Sequence, residues 1–422
     1  MAQLTDDCFA FGGPLLTVDD VERLIAERVT PVVETERVTL RQARGRVLAS
    51  DVAAPVSLPS FDNSAVDGYA VRHSDLVGGG ETRLVIGTPV FAGHAGGVLA
   101  AGQAMRIFTG APMPEGADTV FMQEDCRVEG NAVILPAGLK VGANRRLTGE
   151  DVKSGAVVLA AGTRLAAHHI AIVAAVGLTD VEVRRRVRVA IFSTGDEIVE
   201  PGKPLPIAAV YDANRALLIA MAEGLGAEVT DLGILKDDEN VLAGALAGAA
   251  ANADLVLTSG GVSTGDADYV RKAVEQAGTL VFWRTAIKPG RPVAMGVLRG
   301  GAGANAAFAG LPGNPVAAFV TFARVVRPLF LRLAGARPEP LIAHPVRAAF
   351  SYEKKTGRRE YVRVSLVRAA DGVFEASKYR QDGAGVISSL TETDGLIELP
   401  EDVTGVKPGD MAGFISYAAF VG

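Results

Sequence analysis

The sequence predicts a multidomain chain of α/β plus β class, and three observations carry that prediction. Its 422 residues, at roughly 150 per domain, make two to four domains the expected number. From 187 to 333, β-prone and helical runs alternate, the pattern of a parallel sheet with right-handed crossovers. On either side, short β-prone runs are separated by Gly and Pro clusters, the texture of small β domains.

In chain order, Val18, Val21, Leu24 and Ile25 recur at helical spacing behind Thr17, with Asp19 and Asp20 suited to a first turn, so a helix opens the chain. Residues 55–142 hold Tyr69-Ala70-Val71, Arg83-Leu84-Val85-Ile86, Thr119-Val120-Phe121-Met122 and Ala132-Val133-Ile134-Leu135, and read as an inserted β domain. Residues 1–54 and 143–186 flank it as two segments. In the second segment Val157-Val158-Leu159 is strand-like and the apolar run 166–176 is helical, stopping at Gly177. These pieces are expected to pack back against the opening helix. The α/β domain, 187–336, runs through a strand at 187–192, a helix at 214–225, a strand at 228–232, a helix at 239–251 and a strand at 254–258. A Gly-rich loop, a helix at 268–276 and a strand at 307–309 follow, and then a helix at 315–333 that Asn314 is placed to cap, with Pro315 at its first position. Residues 337–422 alternate short β-prone runs with turns and are expected to close into a β barrel.

Composition narrows the function classes. The formal charge of −6, from 42 Lys+Arg against 48 Asp+Glu, offers no global basic field, so no nucleic-acid partner is expected. A mean hydropathy of +0.25 raises the membrane question. The longest uncharged stretch, 300–323, is interrupted by Leu311-Pro312-Gly313-Asn314-Pro315, so no membrane span of about 20 apolar residues is expected. Cys8 and Cys126 lie far apart without metal-ligand neighbours, which argues against a disulfide framework or structural zinc. Asp6 and Asp7 stand where a leader peptide would carry bases, so a cytoplasmic location is expected.

In open α/β sheets, ligands lie beyond the carboxyl ends of the strands, at loops leading into helix N-termini. Three loops fit: Ser193-Thr194-Gly195-Asp196-Glu197, the Gly-rich segment 259–268 with Ser259, Gly260, Gly261 and Ser263, and Gly310-Leu311-Pro312-Gly313-Asn314-Pro315. Backbone amides and hydroxyls there suit a phosphate or another oxyanion, although an isolated loop of this kind also reads as a tight turn with a capping Asp. Asp196, Glu197, Asp237, Asp238, Asp266 and Asp268 supply the hard oxygen donors of a Mg²⁺-dependent phosphoryl reaction. Equally, acids at helix starts favour the helix dipole. Lys288-Pro289-Gly290-Arg291-Pro292 holds two cations on a proline-stiffened turn, suited to an oxyanion or simply to a solvated surface. Asp62 to Tyr69 and Gly149-Glu150-Asp151 read on their own as Asx turns and caps. His168 and His169 read as packing residues, since no third metal ligand lies near them.

Taken together and in order, Asp62-Asn63-Ser64-Ala65-Val66-Asp67-Gly68-Tyr69, Ile107-Phe108-Thr109-Gly110-Ala111-Pro112, Gly149-Glu150-Asp151, Ser193-Thr194-Gly195-Asp196-Glu197, Ser259-Gly260-Gly261-Val262-Ser263, Lys288-Pro289-Gly290-Arg291-Pro292 and Leu311-Pro312-Gly313-Asn314-Pro315 span nearly the whole chain. This series resembles the MoeA family of molybdenum insertases. The resemblance implies an elongated linker domain in two segments, an inserted β domain, a molybdopterin-binding α/β domain and a C-terminal β barrel. It implies that molybdate and adenylated molybdopterin are the substrates, with Mg²⁺-dependent hydrolysis of the adenylate and release of AMP. Asp67, Glu197 and Asp268 are implied to be catalytic, with Glu197 and Asp268 at the metal. Thr109, Asp151, Ser193, Thr194, Gly195, Asp237, Ser259, Gly260, Gly261, Ser263, Lys288, Arg291, Pro312, Asn314 and Pro315 are implied to bind or shape the ligand site. The family also implies a homodimer in which the β domain of one subunit approaches the α/β domain of the other, and further partners among cofactor-biosynthesis proteins and apo-molybdoenzymes. Two alternatives remain open at this point: a pterin-binding scaffold without turnover, and the adenylyltransferase of the preceding step.

Overall fold

The computed structural model describes residues 4–5, 7–10, 15–32, 34–260, 269–300 and 305–421. At its centre is a six-stranded sheet in the order Glu228–Leu235, Arg188–Thr194, Leu255–Ser259, Asn305–Leu311, Pro292–Arg299, Gly278–Arg284. The first four strands are parallel, as the alternation of strands and helices predicts. The last two are antiparallel, so the sheet is mixed, which corrects the purely parallel expectation. Val293 to Leu298 is buried throughout, and an apolar run of that length carries no periodicity to mark it as a strand.

Successive residues of Arg188–Thr194 point to opposite faces of the sheet. Val189 and Ile191 join the core under the helix Ala213–Gly224 and the long C-terminal helix, whereas Ala190 and Phe192 join the core under Glu239–Asn252 and Tyr269–Ala277. The long helix runs as Pro315–Thr321, a π-helical stretch Phe322–Val326 and Arg327–Leu333, over the span predicted.

The opening helix, Val18–Arg28, starts with a capping box: Asp20 N donates to Thr17 Oγ1 and Thr17 N donates to Asp20 Oδ2, both at 3.1 Å. Its buried stripe of Val18, Val21, Leu24 and Ile25 joins the core of the α/β domain beside Leu218, Phe322 and Leu329. It does not pack against the helix Ala167–Ala175, contrary to the expectation. That helix buries Val173 in a separate core with Val38, Leu48, Val181 and Val183, where the antiparallel ribbon Thr35–Thr39/Asp180–Arg184 already fills the available face.

The β domain is a six-stranded sheet in the order Thr119–Met122, Gly68–Val71, Gln103–Ile107, Thr82–Ile86, Ala132–Leu135, Arg127–Glu129. Gly68 is obligatory there, because a Cβ would fall 1.8 Å from the carbonyl oxygen of Phe121 on the adjacent strand. In the C-terminal domain, Arg359–Arg368, Phe374–Lys378, His344–Ala348, Met411–Ser416 and Gly395–Leu399 pair in sequence, and the last pairs back onto the first to close a five-stranded barrel. No helix among the described residues is long and apolar enough to cross a membrane.

Candidate active site

The carboxyl ends of three neighbouring parallel strands open into a cleft of about 450 Å³. Ser193, Thr194 and Glu197 line it from the first loop, Ser259 and Gly260 from the second, and Gly313, Asn314 and Pro315 from the third. The barrel domain closes one side with Gly385 and Ile387, fixed by Val316 N donating to Ala384 O at 2.9 Å.

One side chain ties the second and third loops together. Asn214, at the start of Ala213–Gly224, donates from Nδ2 to Ser259 Oγ and to Gly313 O, each at 2.7 Å. Ser259 Oγ in turn donates to Pro312 O at 3.2 Å, and Gly260 N donates to Leu311 O at 3.0 Å. The first loop is held from below. Ser193 Oγ donates to Asp212 Oδ1 at 3.0 Å, and that oxygen also receives Arg215 N at 3.0 Å, so Asp212 caps the helix that carries Asn214. The Arg215 guanidinium then spans three carboxylates, with Asp212 at 2.8 Å, Asp231 at 2.5 Å and Glu200 at 2.5 Å. Burial works against its charge, yet its bonds to Asp212, Asp231 and Glu200 outweigh that cost and raise its pKa above the ordinary arginine value.

Gly195 has φ +139°, and a Cβ there would lie 2.7 Å from a Glu197 carboxylate oxygen, so glycine lets this carboxylate fold back over the loop. Thr194 Oγ1 donates to Asp237, which joins the first loop to the end of Glu228–Leu235. Gly261, Ser263 and Asp268 lie outside the described residues.

The remaining predicted residues lie elsewhere in the chain. Asp67 and Thr109 meet on the β domain, where Thr109 N and Oγ1 both donate to Asp67 Oδ1 at 2.8 Å. These bonds, led by the backbone one, hold the Asp67 pKa below the usual aspartate value. Asp62 makes the same pattern with Thr148, at 2.7 and 2.8 Å, the turn-capping role its sequence suggests. Asp151 lies on a separate depression with Gly149, Lys153 and Ile172. Lys288 is turned toward the barrel, donating to Glu360 Oε2 at 3.0 Å and Tyr352 OH at 3.2 Å, while Arg291 is exposed. Neither cation lines the cleft. His169 Nδ1 accepts from Ala166 N at 3.0 Å, a helix-start contact rather than a ligand set.

Sequence reasoning missed Asn214, Asp212, Gly385 and Ile387. The signal for the first two was present: Asp212-Ala213-Asn214 has an N-cap acid followed by an amide in the first turn of a helix that leaves a predicted ligand loop. Gly385 and Ile387 carried no local signal, because only the tertiary fold brings the barrel domain to the cleft.

The chain matches known domains in the order of its own. Residues 16–177 match the MoeA N-terminal region (domain I and II), 190–332 a probable molybdopterin binding domain, and 345–416 the MoeA C-terminal region (domain IV). The chain belongs to the MoeA family. It is 38% identical to a molybdopterin molybdenumtransferase of Haemophilus influenzae over 94% of this chain and 97% of that one. A molybdopterin molybdenumtransferase of Nostoc sp. is also 38% identical, over 94% and 92% of the respective chains. A crystal structure of the molybdopterin biosynthesis MoeA protein from Pyrococcus horikoshii superposes with a TM-score of 0.79 at 29% identity, covering 96% of this chain and all of that one. In this MoeA chain, the span matching the molybdopterin binding domain supplies all three loops of the cleft, and the C-terminal region supplies its barrel wall.

Proposed function

We propose that this MoeA-family chain is a molybdopterin molybdenumtransferase of molybdenum cofactor biosynthesis that takes adenylated molybdopterin and molybdate as substrates and releases AMP. The observation that carries the reading is the locked triad of loops at the strand ends, within a chain that has every MoeA domain in order. The backbone N–H groups in the first turn of Ala213–Gly224 orient phosphate oxygens, and the hydroxyls of Ser193 and Thr194, which donate to Asp212 and Asp237, hold the first loop beside them. Asn214 holds the second and third loops at fixed spacing, so little ordering cost remains when the ligand binds.

The donor set suits Mg²⁺. Mg²⁺ is commonly held by one or two carboxylates together with substrate phosphates. Glu197, which lines the cleft, and Asp268 are the carboxylates for it. When bound, the ion neutralises charge on the phosphate.

Asp67 and Thr109 enter the reading through a homodimer, in which the β domain of one subunit completes the cleft of the other. Lys288 and Arg291 serve as the cations for molybdate, with Glu360 holding Lys288 charged until the oxyanion arrives. A cytoplasmic location accords with a substrate made by other biosynthetic enzymes. The test is AMP release from adenylated molybdopterin with Mg²⁺, with and without molybdate. Saturable, molybdate-dependent AMP release is expected, and its absence from folded dimer would reject the reading.

A further inference from the structure

The β domain carries an aromatic platform beside Asp67. Phe91 is 48% exposed and stacks on Phe108, with ring centroids 5.0 Å apart and planes inclined by 12°. Val90 N donates to Arg106 O at 2.7 Å, which pins Phe91 alongside the strand that leads into Phe108. The Arg106 guanidinium lies 4.8 Å from the Phe108 ring centroid and 5.3 Å from that of Tyr69. Its own bonds, to Gly68 O at 2.9 Å and to Gln123, keep it there.

A single exposed phenylalanine needs no explanation. This one differs in what surrounds it. The stack is prearranged, a fixed cation backs it, and a carboxylate stands next to it with one oxygen uncommitted. Both bonds from Thr109 go to Asp67 Oδ1, and Oδ2 accepts none among the described residues. The exposed part of the Phe91 ring, which the His94 ring approaches at 6.3 Å between centroids and a 69° tilt, and an anionic acceptor match a planar heterocycle whose ring edge carries amino N–H groups.

We propose that Phe91, Phe108, Arg106 and Asp67 form a subsite for an aminopyrimidine ring, with the ring stacked on Phe91 and its amino group donating to Asp67 Oδ2. Both rings of adenylated molybdopterin, the pterin and the adenine, have this chemistry, and the subsite rests on the reading of the substrate given above.

The chain has one tryptophan, Trp283, which is buried, so Phe91→Trp places a distinguishable reporter on the platform. Its fluorescence is to be titrated with AMP and, separately, with a free oxidised pterin, while KM for adenylated molybdopterin is measured for the wild type, Phe91→Ala and Phe91→Trp. Saturable quenching by at least one probe is expected, and the probe that quenches identifies the ring. Phe91→Ala should raise KM tenfold or more, and Phe91→Trp should keep it within about threefold because the π face is retained. Quenching by neither probe, or an unchanged KM in Phe91→Ala, overturns the subsite while leaving the proposed activity intact. Dissociation of the dimer by Phe91→Ala overturns it too, since the platform would then be a subunit contact. Loss of AMP release in the wild type itself would fault the proposed activity instead.

Discussion

Asn214 and Ser259 are joined by a 2.7 Å hydrogen bond between the first turn of one helix and the carboxyl end of the neighbouring strand. The same amide reaches Gly313 O, so one side chain joins its own helix to two loops that are far apart in sequence. Asn214→Ala removes both bonds and should cost about 1–2 kcal/mol of stability, at roughly 1 kcal/mol per net hydrogen bond. The larger effect belongs to the cleft, where loosened loops should raise KM for the adenylated substrate about tenfold. Urea unfolding and steady-state AMP release measure the two separately.

Arg215 should behave differently. Its side chain is 8% exposed and that of Asp212 is 2% exposed, whereas Glu200 and Asp231 are about half exposed. Only the Asp212 pair therefore escapes solvent screening. Arg215→Ala leaves that buried carboxylate unpaired beside Ser193 and should destabilise the chain by about 3–5 kcal/mol. Glu200→Gln should cost less than about 1 kcal/mol. Equal losses in the two variants, in denaturant titrations, would contradict the geometry.

How far this architecture was legible in the sequence depends on the kind of signal. The three cleft loops were readable because parallel strands place their carboxyl ends side by side, so any Gly- and hydroxyl-rich segment leaving them faces the same edge. The antiparallel pair Gly278–Arg284 and Pro292–Arg299 was not, since residues 278–282 are half-buried throughout and 293–298 buried throughout, so neither run alternates. Val18–Arg28 was recognisable as a helix from its cap and stripe, but a stripe does not say which core receives it. The destination of Lys288 was hidden for a similar reason: Glu360 lies 72 residues further on, in another domain.

The contact between Thr109 and Asp67 gives a pH prediction. With its pKa below 3.8, Asp67 favours the folded state above the unfolded aspartate pKa, and that contribution is lost as the pH falls through the lowered folded value. Thr109→Val removes the hydroxyl bond but keeps the backbone one, so the pKa should rise part of the way toward 3.8. Titration of the Asp67 carboxyl resonance by NMR in both proteins checks the direction. An unchanged value would mean that the hydroxyl contributes nothing.

Lys288 titrates with the opposite sign. Burial opposes its charge, but hydrogen bonds to Glu360 and Tyr352 prevail and raise its pKa above 10.5. Its contribution is then fully present below 10.5 and is lost as the pH rises through the higher folded value. Glu360→Gln should lower the Lys288 pKa and reduce the fall in stability on the alkaline side of pH 10.5, which thermal melts across that range can follow.

The position of Asp67 and Thr109 on the β domain, away from the cleft of their own chain, makes the shared site testable by mixing subunits. In a heterodimer of Asp67→Ala and Glu197→Ala chains, one site combines the intact cleft of the first chain with the intact β domain of the second. The other site carries both changes. Random mixing makes about half of the dimers mixed, each with one working site of two, so activity should recover to about one quarter of wild type. Neither parent homodimer should approach that level. A site built within a single chain has no intact copy in any mixture, so verified heterodimers without recovery would confine that centre to one subunit, and an Asp67→Ala homodimer with wild-type activity would place Asp67 outside it.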